Sequence, residues 1–274
     1  MSATKPDPEP GPEVEPDDGP RGQDHQWSRA SEKYEELFLD AFHAGVENPV
    51  LGWLDAVPDP GSKTVADLGC GTGPLLPNLA ARFGHVVALD FAPGMIARAR
   101  RRLDRKLASK VKFLTRPMDE LGDYAGRLDV AVAVNSVVMP DVRVIDRTLR
   151  AVRAALKPDG VFLGVVPSID AIHYHTMLLM DQSLDRGSTP EEAERYAAHH
   201  AEHVYYDFAM GRFRYRGLHQ KFWHPFEVRH RLAKAGFTSV ELAKVTYPWD
   251  DSLPGGTSFA DQPPSWDWSF IARP

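Results

Sequence analysis

The sequence has a single cysteine, Cys70, among its 274 residues. One thiol cannot form an internal disulfide, and chains this poor in cysteine are typical of reducing compartments. The same scarcity argues against any chemistry that needs several thiols. We therefore expect a cytoplasmic protein in which Cys70 is a small structural residue.

Long apolar runs and an excess of positive charge are also missing. No segment approaches the ~20 consecutive apolar residues of a membrane-spanning helix, and no signal-peptide pattern opens the chain. The net charge is −6, and residues 1–20 contribute most of it because they hold six acids and one lysine. The nearly neutral remainder gives no electrostatic support for nucleic acid as a partner. We expect neither a membrane nor a nucleic-acid partner, and the sequence leaves the oligomeric state open.

The first quarter of the chain changes character at Trp27. Residues 1–25 are acidic, rich in proline and glycine and almost free of apolar side chains. Such a segment cannot bury enough surface to offset its ordering entropy, so we predict a disordered tail, with an acidic docking arm as the alternative. Apolar residues at helical spacing then return, including Tyr34 and Phe38. This spacing predicts N-terminal helices over residues 26–60.

The most informative stretch is Val-Ala-Asp-Leu-Gly-Cys-Gly-Thr-Gly, from Val65 to Gly73. A short apolar strand leads into three glycines, which allow positive φ angles and a close approach of the backbone to a ligand. A strand, a glycine turn and a helix N-terminus together form a nucleotide pocket. A dinucleotide site requires glycine where this chain has Pro74, a residue we predict at the first helical position. A nicotinamide-dependent oxidoreductase is therefore disfavoured.

The pattern D-x-G-x-G-x-G from Asp67 to Gly73 resembles the first motif of the class I S-adenosylmethionine-dependent methyltransferases. The resemblance covers residues 64–166 well and the C-terminal section more loosely. It implies an α/β, Rossmann-like doubly wound fold, with a seven-stranded, mostly parallel sheet whose last strand is antiparallel. We predict a methyltransferase core in two parts, residues 61–167 and 225–274. Between them we predict a helical cap, residues 168–224, that forms the substrate insertion.

The resemblance also implies the positions of the S-adenosylmethionine site. In that family the backbone at the glycines lies against the methionine part of the cofactor, and the acid at the strand end, here Asp67, helps to hold its amino group. Asp90 ends the second strand, where a carboxylate can accept both ribose hydroxyls; the alternative is a turn or helix-capping residue. The predicted cofactor-binding set is Asp67, Gly69, Gly71, Gly73, Asp90, Phe91, Met95, Met118, Asp119, Asn135 and Ser136.

Histidines in the insertion are candidate bases. Methyl transfer needs a base only when the acceptor must lose a proton, and histidine titrates near neutral pH. His173 is nearest to the fifth predicted strand, so we predict it as catalytic base and, with Tyr34, as a residue of the substrate pocket. His199 and His203 have the spacing of metal ligands, but no accompanying acid or cysteine pattern supports a metal, and we predict none.

These observations predict a methyltransferase that acts on a small-molecule acceptor, at oxygen or nitrogen, and releases S-adenosylhomocysteine. A non-catalytic binding protein with the same fold and an RNA or protein methyltransferase are the alternatives. The basic segment 94–107 resembles an RNA-binding patch, but its apolar residues form one stripe and leave the basic residues on the solvated surface. The apolar, methionine-containing insertion favours a small organic acceptor.

Overall fold

The computed structural model describes residues 27–28, 41–43, 45–201, 203–215, 218–251, 253 and 255–274. The predicted acidic tail and Tyr34 lie outside the described residues. The α-helices are α1 Pro49–Asp55, α2 Leu76–Arg82, α3 Pro93–Arg102, α4 Arg105–Ala108, α5 Val142–Ala155, α6 Ile169–Asp185, α7 Pro190–His200 and α8 Pro225–Lys234. The strands are β1 Thr64–Leu68, β2 His85–Asp90, β3 Val111–Thr115, β4 Leu128–Val134, β5 Leu156–Val166, β6 His203–Asp207, β7 Arg212–Tyr215, β8 Leu218–Lys221, β9 Ser239–Tyr247 and β10 Ser265–Arg273. Short 3-10 helices cover Pro60–Ser62, Gly122–Tyr124 and Gly256–Phe259.

Seven of these strands form one twisted sheet in the order β3-β2-β1-β4-β5-β10-β9. Strands β1 to β5 pair in parallel, whereas β10 runs antiparallel to both of its neighbours. This topology confirms the predicted doubly wound α/β fold with an antiparallel last strand. Among the described residues, no helix is long and apolar enough to cross a bilayer.

The central strands are apolar on both faces because helices cover both. Ala131 and Ala133 of β4 face a core built with α5 and α8, whereas Val130 and Val132 face a second core built with α1, α2 and α3. Side chains alternate between the two faces of a strand, so a strand covered on both sides must be apolar throughout. This arrangement explains the continuous apolar run of β4 in the sequence.

Three local predictions are corrected by the structure. Pro74 precedes α2, which begins at Leu76, because a turn closed by the Leu76 N–H on the Gly73 carbonyl (3.2 Å) delays the helix. The predicted helix over 94–107 is two helices, since Asp104 caps α4 by accepting from the Leu107 N–H at 2.8 Å. The Leu-Lys-Pro-Asp-Gly run at 156–160 resembles a turn of the methyltransferase family that follows a helix, but here it lies within β5, where the pairing with β4 shifts register.

The insertion is helical only in its first half. Helices α6 and α7 are followed by an antiparallel sheet of β6, β7 and β8, so the expectation of helices up to residue 224 is wrong for its second part. The segment is rich in aromatic residues, which favour strands. At the start of α7, Thr189 and Glu192 form the capping box that the sequence indicates.

Strand β8 is fastened to the core at the carboxyl edge of the large sheet. The Lys221 N–H donates to the Val138 carbonyl at 2.8 Å, and the Trp223 indole N–H donates to the Val137 carbonyl at 2.9 Å. Both acceptors lie in the segment that follows β4. The small sheet therefore stands next to the edge at which doubly wound folds bind ligands.

A buried ion network joins the same strand to α8. The Lys221 side chain is 1% exposed, and its Nζ lies 2.7 Å from Glu227 Oε2 and 2.6 Å from the Met210 carbonyl. Glu227 also accepts from Arg231 Nε at 2.7 Å. Burial lowers the pKa of Lys221, and the hydrogen bond and charge of Glu227 oppose this shift. Glu227 is thus the anionic partner that allows an ammonium group to be buried here.

We expect Glu227→Ala to destabilise the protein by about 3–5 kcal/mol, because it leaves the Lys221 ammonium buried without its counter-ion. Urea unfolding followed by circular dichroism measures the change. Asp123→Ala is the control, because it removes an ion pair between Arg116 and the exposed carboxylate of Asp123. It should leave the urea midpoint of unfolding nearly unchanged. Equal midpoints for the two variants would contradict the assignment.

Candidate cofactor and acceptor site

A cavity opens at the carboxyl ends of the parallel strands. Its volume is about 800 Å³, open solvent at the mouth included. Cavities of this volume typically bind small molecules or cofactors. Nine of the predicted cofactor-binding residues line it, namely Gly69, Gly71, Asp90, Phe91, Met95, Met118, Asp119, Asn135 and Ser136.

The glycine turn brings the backbone of β1 against the end of β4. Gly69 has a φ of +68°, and a Cβ atom on it would lie 2.4 Å from Ser136 Cβ. Ser136 Oγ in turn donates to the Leu68 carbonyl at 2.7 Å, which ties the two strand ends together. Gly73 lies outside the cavity lining, and a Cβ there would meet Ala99 Cβ of α3 at 3.0 Å. The first glycine therefore shapes the cavity, while Gly73 allows close helix packing.

Asp90 organises the turn from the second strand. Its two carboxylate oxygens accept from the Gly71 and Ala92 N–H groups, each at 2.9 Å. Burial raises its pKa to about 6, although both hydrogen bonds lower it. A carboxylate offers about four acceptor positions, so positions remain for ribose hydroxyls. Asp90 therefore both stabilises the turn, which was the alternative role in the sequence analysis, and lines the cavity.

Asp67 lies at the end of β1, is 3% exposed and is not itself among the residues that line the cavity. Burial, and secondarily the charge of Asp90, raises its pKa to about 7. Its Oδ2 is buried and has no hydrogen-bond partner among the described residues. A buried carboxylate oxygen without a donor is rare and calls for a ligand that supplies one.

Asn135 presents a second such oxygen at the end of β4, the strand that pairs with β1. Its backbone is left-handed, with a φ of +48°. Its Nδ2 donates to Asp267 Oδ2 at 3.1 Å, whereas its Oδ1 is buried without a partner in the described part of the chain. Two acceptors without donors at neighbouring strand ends suit a cationic donor such as an ammonium group.

Cys70 lies beneath this turn and is 4% exposed. Burial, together with the charges of Asp67 and Asp90, raises the pKa of its thiol well above the usual value. A thiol held in its neutral form is a poor nucleophile. The structural role expected for Cys70 agrees with this environment.

The far side of the cavity follows β3. Met118 and Asp119 line it together with Phe91, and Asp119 Oδ2 accepts from Arg147 Nε of α5 at 3.2 Å. The ion pair is partly exposed, and Asp119 remains one of the lining residues. Several lining residues were not predicted: Trp27, Pro117, Val138, Met139, Pro140, Thr148 and His219. The Val138–Pro140 part could have been found, because it directly follows Asn135 and Ser136.

The structure places His219 in the cavity wall, where the sequence suggests His173. His173 is not among the residues that line the cavity; its ring stacks on Phe208, with centroids 5.0 Å apart. Burial lowers the pKa of His173; the charge of Asp170 opposes this shift, and the nearby His224 adds to it. Among the described residues, His219 of β8 is the histidine that lines the cavity. No local signal marks His219, because β8 reaches the cavity only through its contact with the Val138 segment.

Comparisons with known proteins agree with this geometry. Residues 65–160 match a family model described as a methyltransferase domain. The chain is 37% identical over 111 residues to magnesium-protoporphyrin O-methyltransferase of Rhodobacter capsulatus, covering 36% of this chain and 47% of that protein. It is 25% identical over 205 residues to ubiquinone biosynthesis O-methyltransferase of Acinetobacter baumannii, covering 73% and 75%.

Solved structures show the same architecture. Magnesium protoporphyrin IX methyltransferase from Synechocystis PCC 6803, with bound S-adenosylhomocysteine, superimposes with a TM-score of 0.58 at 16% identity. The alignment covers 94% of this chain and all of that one, 100%. The match to the Rhodobacter protein, by contrast, spans about half of that protein's length, 47%.

A Rossmann-like sheet with a glycine turn, acids at two strand ends and a cavity above them defines the class I S-adenosylmethionine-dependent methyltransferases. Residues 65–160 match the methyltransferase-domain model, and the described residues have the fold of the solved methyltransferase structure. S-adenosylmethionine is the cofactor of the class, and its ammonium group suits the two acceptors described above. When bound, it supplies an activated methyl group on a sulfonium centre.

Proposed function

We propose that this chain transfers a methyl group from S-adenosylmethionine to an oxygen atom of a small, largely apolar organic acceptor. The observation that carries the proposal is the composition of the cavity. Its lining combines the glycine turn and the carboxylate of Asp90 with the apolar residues Val138–Pro140 and the imidazole of His219. The names of two relatives, which are both O-methyltransferases, support oxygen as the accepting atom.

The residues divide into three groups by the part of the cofactor that they would hold. Asp67 and Asn135 offer acceptors for the ammonium group, and Asp90 offers acceptors for the ribose hydroxyls. Phe91 and Met118 supply apolar surface for the adenine. Displacement at a sulfonium carbon needs little covalent help, so the main contributions of the chain are alignment and the exclusion of water. In this proposal the sheet of β6–β8, which contributes His219 to the cavity lining, covers the acceptor.

His219 is the group we propose as proton acceptor for the hydroxyl. It lines the same cavity as Met139, Pro140 and the proposed cofactor residues. The imidazole of a histidine can take a proton from a hydroxyl as the methyl group is transferred. A proton-accepting role for His173 would require it to reach the cavity, and it is not among the lining residues.

We expect His219→Gln to lower kcat/KM for methyl transfer by about a hundredfold or more, the usual effect of losing a general base. The affinity for S-adenosylhomocysteine, measured by calorimetry, should change little, because the cofactor groups are intact. His173→Gln is the matched control and should keep kcat/KM within about twofold. The reverse pattern, with activity lost only in the His173 variant, would restore the sequence-based prediction.

The proposed activity is tested with S-adenosylmethionine carrying a labelled methyl group and a metabolite extract, followed by mass spectrometry. Label in a small, oxygen-containing metabolite is the expected result. Label in RNA or protein would instead support the macromolecular alternative. Absence of label in every fraction, with intact binding of S-adenosylhomocysteine, would support a non-catalytic binding protein.

A further inference from the structure

A polar network surrounds Asp267 at the start of β10. Asp267 Oδ2 accepts from the Tyr247 hydroxyl at 2.8 Å and from Asn135 Nδ2 at 3.1 Å. Its Oδ1 accepts from the Ser168 N–H at 3.3 Å. The three donors come from three segments: the end of β9, the residue after β4 and the start of α6. The carboxylate thus joins the insertion to the cavity edge.

The network determines the orientation of the Asn135 amide. An ionised carboxylate only accepts hydrogen bonds, so the NH₂ group of Asn135 must face Asp267. Oδ1 of the same amide then points away from Asp267. That oxygen is buried and lacks a partner among the described residues, and Asn135 lines the cavity. The Asn135 N–H donates to the Val165 carbonyl at 2.8 Å, which holds the left-handed backbone in place.

We propose that Asp267 is a positioning residue for cofactor binding. By holding the NH₂ group of Asn135, it presents Oδ1 of that residue as an acceptor for the ammonium group of S-adenosylmethionine, in addition to Asp67. The inference rests on the proposed function, because it takes the cavity as the site of that cofactor. It adds a residue that does not line the cavity and belongs to none of the motifs.

The isosteric substitution Asp267→Asn separates orientation from size. Three donors face the carboxylate, and an asparagine side chain has one acceptor oxygen and one NH₂ group. If the oxygen of the introduced asparagine serves the Ser168 N–H, its NH₂ group faces Asn135. The Asn135 amide must then turn, and its own NH₂ group points into the cavity. A donor would replace the acceptor that the ammonium group needs.

The test compares two ligands of the full-length protein by calorimetry. S-adenosylhomocysteine carries the ammonium group, whereas 5′-methylthioadenosine lacks the whole amino-acid part. In Asp267→Asn we expect the Kd for S-adenosylhomocysteine to rise about tenfold or more, as for loss of a hydrogen bond to a charged group. The Kd for 5′-methylthioadenosine should stay within about twofold of the wild-type value. Ser269→Ala, which removes a buried hydroxyl on the same strand, is the control and should change neither affinity.

A double-mutant cycle tests whether Asp267 acts through Asn135. Asn135→Ala should weaken the binding of S-adenosylhomocysteine but not that of 5′-methylthioadenosine. Adding Asp267→Asn to this variant should raise the Kd for S-adenosylhomocysteine by less than a further factor of about two. Unchanged affinity in Asp267→Asn, equal weakening of both ligands, or full additivity would each overturn the proposal. If Asp267→Asn does not fold, the test rests on Asn135→Ala. Selective loss of S-adenosylhomocysteine binding in that variant supports the proposal, and equal loss of both ligands overturns it. A wild-type protein that binds neither ligand would reject the proposed function itself.

Discussion

Replacing Asp67 with asparagine is expected to weaken S-adenosylhomocysteine binding by about a hundredfold, the scale of a lost charge-assisted hydrogen bond. The same change should make the ligand-free protein more stable at neutral and alkaline pH. Asp67 is 3% exposed and its Oδ2 has no donor within the described part of the chain. Its ionised form is therefore unfavourable until a cationic group binds, and asparagine removes that penalty together with the binding contact.

The pH dependence has a definite sign. Burial and the charge of Asp90 raise the pKa of Asp67 from 3.8 to about 7, so the folded protein takes up a proton more readily than the unfolded chain. The wild-type protein therefore loses stability relative to Asp67→Asn as the pH rises from about 4 through about 7. The difference should level off above pH 7 at up to about 4 kcal/mol, which corresponds to the raised pKa.

Ligand binding should show the opposite trend. Only ionised Asp67 pairs with an ammonium group, so wild-type affinity for S-adenosylhomocysteine should fall as the pH drops below about 7. Calorimetry between pH 6.5 and 8 keeps Asp90, whose pKa is raised to about 6, mostly ionised. The Asp67→Asn variant should lose this slope, and 5′-methylthioadenosine should lack it in both proteins. A slope that persists in the variant would assign the titration to another group.

Gly69→Ala should lower the free energy of unfolding by about 3 kcal/mol or more, since a left-handed backbone and an overpacked contact each contribute. The φ of Gly69 is +68°, and its added Cβ would lie 2.4 Å from Ser136 Cβ. Ser136 cannot withdraw easily, because its Oγ is hydrogen-bonded to the Leu68 carbonyl at 2.7 Å. Relief requires the ends of β1 and β4 to separate, which would also distort the cavity.

Gly71→Ala is the matched control for this prediction. Its φ of +55° imposes a similar backbone strain, but an added Cβ would meet no protein atom within 4 Å. We therefore expect a loss of only about 1–2 kcal/mol, from the left-handed backbone alone. Urea unfolding of the ligand-free proteins measures both values. Equal losses at the two positions would show that the contact with Ser136 relaxes without cost.

The core and the cofactor side of the cavity follow closely from the sequence. The apolar runs of the sequence predict strands over 64–68, 85–90 and 111–115, which are the bounds of β1, β2 and β3. Gly69, Gly71 and Asp90 come together at the cavity, as their spacing indicates. These features depend on residues close in sequence: a strand, the turn that ends it and the helix that follows. The helix ends were less predictable, because a capping side chain such as that of Asp104 restarts a helix without breaking the apolar stripe.

The acceptor side was predicted less well. His173 is nearest in sequence to the strand edge, yet α6 places its ring against Phe208, while His219 arrives at the cavity on β8. The small sheet forms through pairing between strands and docks through two backbone acceptors in the segment after β4. Composition can suggest strands in this insertion, but it does not determine which residue of β8 faces the cavity.

The sequence by itself determined the fold class and the methyl donor, because the glycine turn and the acids at the strand ends act through local geometry. Only the tertiary structure brought Asp267 to Asn135, a contact between residues 132 positions apart, and His219 to the cavity wall. Such contacts depend on how β10 and the insertion pack against the carboxyl edge. That packing is set by interactions spread over the whole chain, so no short motif encodes it.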